Sequence, residues 1–445
     1  MKRLRKVLSL LLVGVIAVTS LFCGTVTASA ADNTVPLLKT SITSIDSKAK
    51  YCSDLGQDLY MLYNDSYCSS VYRIGDTEIK KWRKTGKLSA KKVILDAELE
   101  KTSLSPYSYA DFSKGNYALF GCFDNKDKSF SYKVAKYDSK ANQISVIYTT
   151  KNQIGLSPNG YISEYEESKD GSKTTLKIIS PKGKVIKKIN LDNLNHSGSR
   201  GVFFNGSKEL GVSEYSLDSN GWIDYKEGTF YLVDQKGNIT TLVDGETIWM
   251  KSWGSNYIYY LRMPRDEVMV YLPKSKKTIE MNYISFYYDS NGKEYNLTML
   301  GDAFYGNKAI GKYRSYNNGT EDYKYRLIDI SKAQSTNDAF LTEPYNSIST
   351  FNNGNMFLIK NDNNKYGFVN AKGKELSVFD DAGGFYNNGQ YAPVIKNGKI
   401  YLVNKKMKRV SSTIKADSES VVYTLGDELF VFSYGKKYYL MTNKS

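Results

Sequence analysis

Apolar and polar positions alternate along most of this chain in short runs. Val, Ile, Tyr, Phe and Thr fill the runs, and Gly, Asn, Asp and Lys separate them. A period of two bounded by turn residues predicts half-buried strands joined in hairpins. One unit recurs: a strand, a polar turn, a second strand, and a Lys/Gly/Asn turn. Its clearest copies are Tyr161–Lys184, Asn355–Lys374 and Gly389–Lys408. A single hairpin cannot bury its own apolar face, so such units must stack on one another.

Hairpins begin near residues 58, 116, 160, 211, 256, 309, 355, 389 and 427. The spacing, about 34 to 58 residues, brackets that of a propeller blade. Ser163-Glu164-Tyr165 and Ser213-Glu214-Tyr215 repeat one tripeptide, each before a Gly-containing turn, a strand and Lys-Gly, which marks internal duplication. A linear solenoid needs regular rungs, whereas blades of a closed ring tolerate length variation because insertions leave at the faces. Closure also removes most exposed sheet edges. The expected fold is all-β: a single β-propeller of about seven or eight four-stranded blades. It would span 51–445, after a signal peptide (1–30) and an N-terminal extension (31–50). Nine hairpins are one or two more than such a ring holds, and the surplus is expected to be absorbed at the ends. Either Glu428–Met441 joins the segment near Tyr51 in one blade, or the first unit lies outside the ring. Asn397-Gly398 predicts a two-residue type I′ turn. Asp170-Gly171, Asn220-Gly221 and Asn318-Gly319 fit longer loops. The one predicted helical turn is Lys92–Lys101.

The stretch Lys365-Tyr366-Gly367-Phe368-Val369-Asn370, followed by Lys372-Gly373-Lys374, resembles the core of a WG repeat. The continuation also fits: Phe379-Asp380-Asp381-Ala382, Phe385, Gly389, Ala392-Pro393-Val394, then Asn397-Gly398-Lys399. Tyr366 stands where that family prefers Trp, and Ile400-Tyr401 replaces the Trp-Gly pair of the next copy. The resemblance covers roughly residues 355–412, with a looser likeness upstream to secreted bacterial propellers. It implies repetitive β structure with interaction roles and brings no catalytic residue.

The first thirty residues read as an export signal. Lys2, Arg3, Arg5 and Lys6 precede an apolar run from Val7 to Phe22, and Ala28-Ser29-Ala30 offers a cleavage site. A second site lies two residues earlier, and retention as an anchor is the rival reading. Bulky Leu21 and Phe22 before Cys23 argue against a lipoprotein. No later segment is apolar enough to span a bilayer, so the mature chain is expected outside the cytoplasm, secreted or cell-wall associated. Four of the +15 net charges leave with the signal, giving a mature chain near +11. That field favours anionic partners. Export leaves Cys52, Cys68 and Cys122, an odd set that cannot form a full disulfide framework. Cys52 and Cys68 are placed on the first and third strands of one blade, about 9.5 Å apart and too far to bridge. With abundant Lys, Tyr and Asn, this composition fits a Gram-positive source.

Catalytic chemistry leaves little trace. His196 is the only histidine and sits in a loop-like stretch; Cys/His zinc sites are excluded by count and spacing. No phosphate loop or dinucleotide fingerprint is present. Glu164, Glu166, Glu167, Glu214, Asp218 and Asp224 are the acids a propeller glycosidase or lyase could use. Asp218-x-Asn220-x-x-x-Asp224 and Asp289-x-Asn291 resemble calcium loops but lack the later Glu, so ordinary turns explain them better. Neither a metal nor a cofactor is expected. Binding residues are sought among aromatics: Trp222 at a loop tip, and Trp249, Lys251 and Trp253, which alternation would put on one strand face. Trp82 is the fourth Trp. The reading is a secreted, non-catalytic, monomeric propeller binding an extracellular glycan, cell-wall polyanion or protein, and no sequence-specific nucleic acid. The alternative is a carbohydrate-active enzyme using channel carboxylates.

Overall fold

A computed structural model describes residues 34–444 apart from 65–67, 101–102, 105–111, 113–114, 125–128, 169–172, 192–200, 205–208, 218, 220–222, 245–247, 254–256, 263–266, 273–274, 302–304, 318, 334–336 and 351–354. Among the described residues the chain forms nine sheets in sequence order, taken here as blades 1 to 9: 51–92, 94–150, 154–190, 201–244, 248–280, 286–329, 347–379, 381–415 and 422–443. Each is an antiparallel meander of four strands. Blade 2 adds a fifth, Ile94–Leu95, parallel to its outer strand Gln143–Thr150. First strands of neighbouring blades approach each other, as Ile154–Leu156 does Gly201–Phe204 and Asp381–Ala382 does Val422–Thr424, which puts them innermost. In eight blades the hairpin expected from sequence forms the second and third strands. In blade 6 it forms the third and fourth, Lys308–Asn317 and Thr320–Asp329.

The core lies between sheets. Nine apolar clusters each join two successive blades. Val134 of blade 2 meets Ile162 and Ile179 of blade 3, and Leu232 of blade 4 meets Tyr260, Met269 and Tyr271 of blade 5. The ninth cluster packs Leu425, Leu429, Val431 and Leu440 of blade 9 on Cys52, Tyr60 and Leu62 of blade 1, so the array closes on itself. The β-propeller thus stands, with nine blades in place of seven or eight. No hairpin is surplus. Tyr51 opens the first strand of blade 1, Tyr51–Gly56, and does not join the terminal unit. Blade 9 instead takes its outer strand from Leu37–Ser41, inside the stretch expected as an extension. That strand runs antiparallel to Lys437–Asn443, with Leu37 opposite Asn443 and Ser41 opposite Tyr439.

The recurring polar turn has one geometry. Asp234, Asp289, Asn361, Asn370 and Asn404 each use a side-chain oxygen to accept the backbone N–H groups two and four residues on. The fourth turn residue then adopts a left-handed φ: Gly237 at 82°, Gly292 at 76°, Asn364 at 58°, Gly373 at 79° and Met407 at 60°. This is a type I turn with a bulge, stabilised by an Asx side chain. Two left-handed turn glycines, Gly373 here and Gly183 in a turn opened by Ser180, also dock on the chain before them. A Cβ on Gly183 would lie 2.3 Å from the Ile147 carbonyl oxygen of blade 2, and one on Gly373 would lie 1.9 Å from that of Leu341. Asn397 and Gly398, at φ 51° and 67°, form the expected two-residue turn. In the stretch that resembles a WG repeat, Asp380 accepts from Lys365 Nζ and Asn397 N–H, and Asp381 accepts from Val422 N–H. The acid pair therefore ties blades 7, 8 and 9 together.

Helix content differs from expectation. The predicted turn over 92–101 shrinks to Ala97–Glu100, whereas Asp76–Thr85 forms a ten-residue helix after blade 1's third strand. Its N-cap Gly75 donates N–H to Glu78, and Gly86 closes the C-terminus at φ 71°. Ile79 and Trp82 are buried at the blade 9–blade 1 seam. Arg83 reaches across it to the Asn443 backbone oxygen at 3.0 Å, the Asn443 side chain at 2.6 Å and Glu428 at 2.9 Å. Cys52 and Cys68 do lie on first and third strands of blade 1. Cys52 and Cys122 are buried thiols, and burial, with Asp54 nearby, pushes the Cys52 thiol far up.

Candidate functional site

Trp222, Asp218, Asn220 and His196 lie outside the described residues. Trp249, Lys251 and Trp253 lie on Ile248–Trp253, the innermost strand of blade 5, with side chains outside those described. The pairing of this strand with Ile258–Arg262 shifts register between Met250 and Ser252, with Trp249 opposite Leu261 and Trp253 opposite Ile258. Glu214 and Asp224 occupy strands of blade 4, their side chains likewise outside. Glu167 is exposed at a strand end, and Glu166 pairs with Lys177 at 2.9 Å. Glu164 is buried and saturated. It accepts from Tyr148 at 2.6 Å, Thr150 at 2.5 Å and Asn152 at 2.7 Å, with Lys177 at 3.3 Å. Burial alone would raise its pKa, but these donors outweigh burial and hold it below the usual carboxylate range. A carboxylate so engaged supports the blade rather than reacting. Asp289 serves its own turn in the same way.

A binding-type site stands elsewhere, on blade 6. Strand Phe286–Tyr288 alternates outward, inward, outward: Phe286 and Tyr288 are 48% and 59% exposed, whereas Tyr287 is 7% exposed. The Tyr287 ring stacks on Tyr295 at 5.2 Å and 4° and meets Tyr313 and Phe340 edge-on. Arg326, from the outer strand, lays its guanidinium 4.0 Å over Phe340 and 4.8 Å over Tyr287. It donates Nε–H to the Thr342 carbonyl and has no ion pair among the described residues. Burial lowers its pKa, the mark of a cation partly withdrawn from water. The Tyr287 hydroxyl is buried and also lacks a hydrogen-bond partner among the described residues.

Two cavities, of about 540 and 480 Å³, meet at Tyr287, Tyr288 and Arg326. The first is aromatic, walled by Tyr283, Phe286 and Phe340. The second is polar. Lys293 pairs with Asp322 at 2.8 Å, Tyr295 donates to the same carboxylate, and Lys324 pairs with Asp362 at 2.5 Å. Lys293 and Tyr295 hold Asp322 below the usual range against the upward push of burial. Apolar platforms beside a few convergent polar groups are what a ligand groove requires. Sequence reading missed this site by following Trp, although Tyr283, Phe286, Tyr287 and Tyr288 crowd one short stretch.

A smaller cavity, about 230 Å³, lies at the closing seam and gathers Asp54, Asp58, Asp76, Asp427 and Glu428. Burial, then the charges of Asp76, Glu78 and Asp427, raises the Asp58 pKa despite Arg73. Burial also raises that of Asp427. Tyr386 donates to Asp54 at 2.5 Å. Among the described residues no three His, Cys, Asp or Glu side chains are grouped to hold a metal ion.

No family model matches the chain, and no curated protein matches it. Solved structures similar to it include BamB from Moraxella catarrhalis, at 9% identity and TM-score 0.33 over 73% of this chain and 93% of that one. Saccharomyces cerevisiae Sqt1 is similar at 11% and 0.35, over 74% and 93%. The β-propeller domain of the Trilobed protease from Pyrococcus furiosus is similar at 9% and 0.38, over 74% and 95%. Likenesses this low carry no argument, and the ring rests on its own strand pairing and inter-blade packing.

Proposed function

We propose that this chain is an exported, non-catalytic propeller that binds a macromolecular ligand, a glycan, cell-wall polyanion or protein, at the surface of a Gram-positive cell. The export signal, the basic mature chain and the WG-repeat resemblance support that place and role. The observation that carries the binding reading is Arg326, a partly buried cation with no ion pair among the described residues, held over Tyr287 and Phe340 beside exposed rings. A buried group left unsatisfied costs free energy and calls for a partner. The test is retention of the mature protein on isolated cell walls and on a glycan array at low salt. Arg326→Ala should cut retention about tenfold or more, the scale of losing a charge-assisted contact. Undiminished retention by that variant, or none by the parent protein, removes the reading.

The acid cluster at the seam favours a second reading, a carbohydrate-active enzyme. Asp58 and Asp427, with raised pKa values, would serve as general acids beside the carboxyls of Asp54, Asp76 and Glu428. Release of reducing ends from cell-wall glycans, lost in Asp58→Asn, is the outcome that would establish it.

A further inference from the structure

We infer that the blade 6 groove binds a sugar chain carrying a carboxylate, a uronic acid set among neutral sugars, with the carboxylate on Arg326 and the Tyr287 hydroxyl. The inference rests on the groove being the binding site and names what it takes. Three features point to this chemistry.

The first is the pair of unmet donors. Arg326 spends Nε–H on the Thr342 carbonyl, which leaves the two terminal nitrogens of the fork without an acceptor among the described residues. Such a fork matches the two oxygens of a carboxylate. The Tyr287 hydroxyl, buried and without a hydrogen-bond partner among the described residues, on a ring under the same guanidinium, offers a third donor. The two orphans lie on different strands yet line the same two cavities.

The second is the charge of the polar half. Asp289, Asp322, Glu343 and Asp362 face Lys293, Lys324 and Arg326 there, and both lysines are already paired. Acids thus outnumber cations by one, so a chain charged at every unit would be repelled. One anionic group at Arg326, followed by groups that both donate and accept, fits. Hydroxyls do both. The third is the aromatic half, where the exposed rings of Phe286 and Tyr288 meet edge-on, 5.8 Å apart at 82°, next to Tyr283, so that each turns a face in its own direction. Rings present flat apolar faces to the C–H side of a pyranose while their surroundings stay wet. An acidic peptide would satisfy Arg326, but the acidic excess of the polar half would repel its further carboxylates.

The test is calorimetric titration of the mature protein with a hyaluronan hexasaccharide, in which uronate and N-acetylhexosamine alternate. The same hexasaccharide with its carboxyls reduced, and an oligoglutamate of equal charge, are the comparators. The inference expects the uronate chain to bind about tenfold or more tightly than its reduced form. Arg326→Gln should abolish that preference, and Tyr287→Phe should weaken the uronate chain alone. Phe286→Ala with Tyr288→Ala should weaken both sugars alike. Equal affinity for the two sugars overturns the carboxylate assignment while leaving the groove a glycan site. Binding of oligoglutamate in preference to both overturns it in favour of a peptide. Absence of binding by every probe, in a protein that still unfolds cooperatively, takes the groove reading down as well.

Discussion

Left-handed turn residues show how single positions serve the ring. Gly292 and Gly373 share one turn geometry and nearly one φ, but nothing lies within 4 Å of a Cβ on Gly292, whereas the Leu341 carbonyl lies 1.9 Å from one on Gly373. Gly292→Ala therefore meets only the left-handed penalty, about 1–2 kcal/mol. Gly373→Ala adds a clash with backbone and should cost about 2 kcal/mol more. Chemical denaturation of the two variants checks the ranking, and equal losses would refute it. The turns themselves were legible, because Asn or Asp followed by Lys-Gly has a mechanism. The groove was not. Alternation does put Arg326 on the same face as Ile328, which is buried between blades 5 and 6. A charge on a core-facing position is a signal, but reading it requires knowing which face of the strand is covered.

At the scale of elements, the helix Asp76–Thr85 links the first blade to the last. Its sequence carried the signs: Asp76 and Glu78 in the first turn, Arg83 and Lys84 in the last, and Gly86 beyond. With only Ile79 and Trp82 as apolar anchors, its helical period was too sparse to stand out among strands. Glu78 is buried, yet Lys91 and the Gly75 N–H hold its carboxyl below the usual range, so the cap stays ionised. Arg83 is the residue to test. Arg83→Ala removes its hold on Asn443 and Glu428 and should destabilise the ring by about 1–3 kcal/mol. Thermal unfolding at neutral pH measures the loss, and an unchanged midpoint would mean that the contacts add nothing.

Across the whole molecule, each expected hairpin is found, and it is the blade number that departs from expectation: nine hairpins become nine sheets among the described residues, where seven or eight blades were expected. Strand Leu37–Ser41 is too short to announce a long-range pairing, so the way the ring closes could not be read from pattern alone. The seam has an electrostatic consequence. Asp58 has a raised pKa in the folded state, so the stability tied to its neutral form is complete below its unfolded value near 4 and is lost as pH rises through the folded value. Burial, then the charges of Asp76, Glu78 and Asp427, disfavour its ionised form. Asp58→Asn, which also suits the left-handed φ of 61°, should therefore raise the melting midpoint at pH 7 more than at pH 3. A uniform shift, or a loss at pH 7, would contradict the assignment.

Because Leu37–Ser41 and Lys437–Asn443 share one sheet, the first of these strands waits for its partner while about 400 residues are synthesised. The final docking joins segments far apart in sequence, the slow kind of contact in folding. A nascent chain stalled short of residue 437 would remain an open arc with a bare sheet edge, the state most prone to recruit a neighbouring copy.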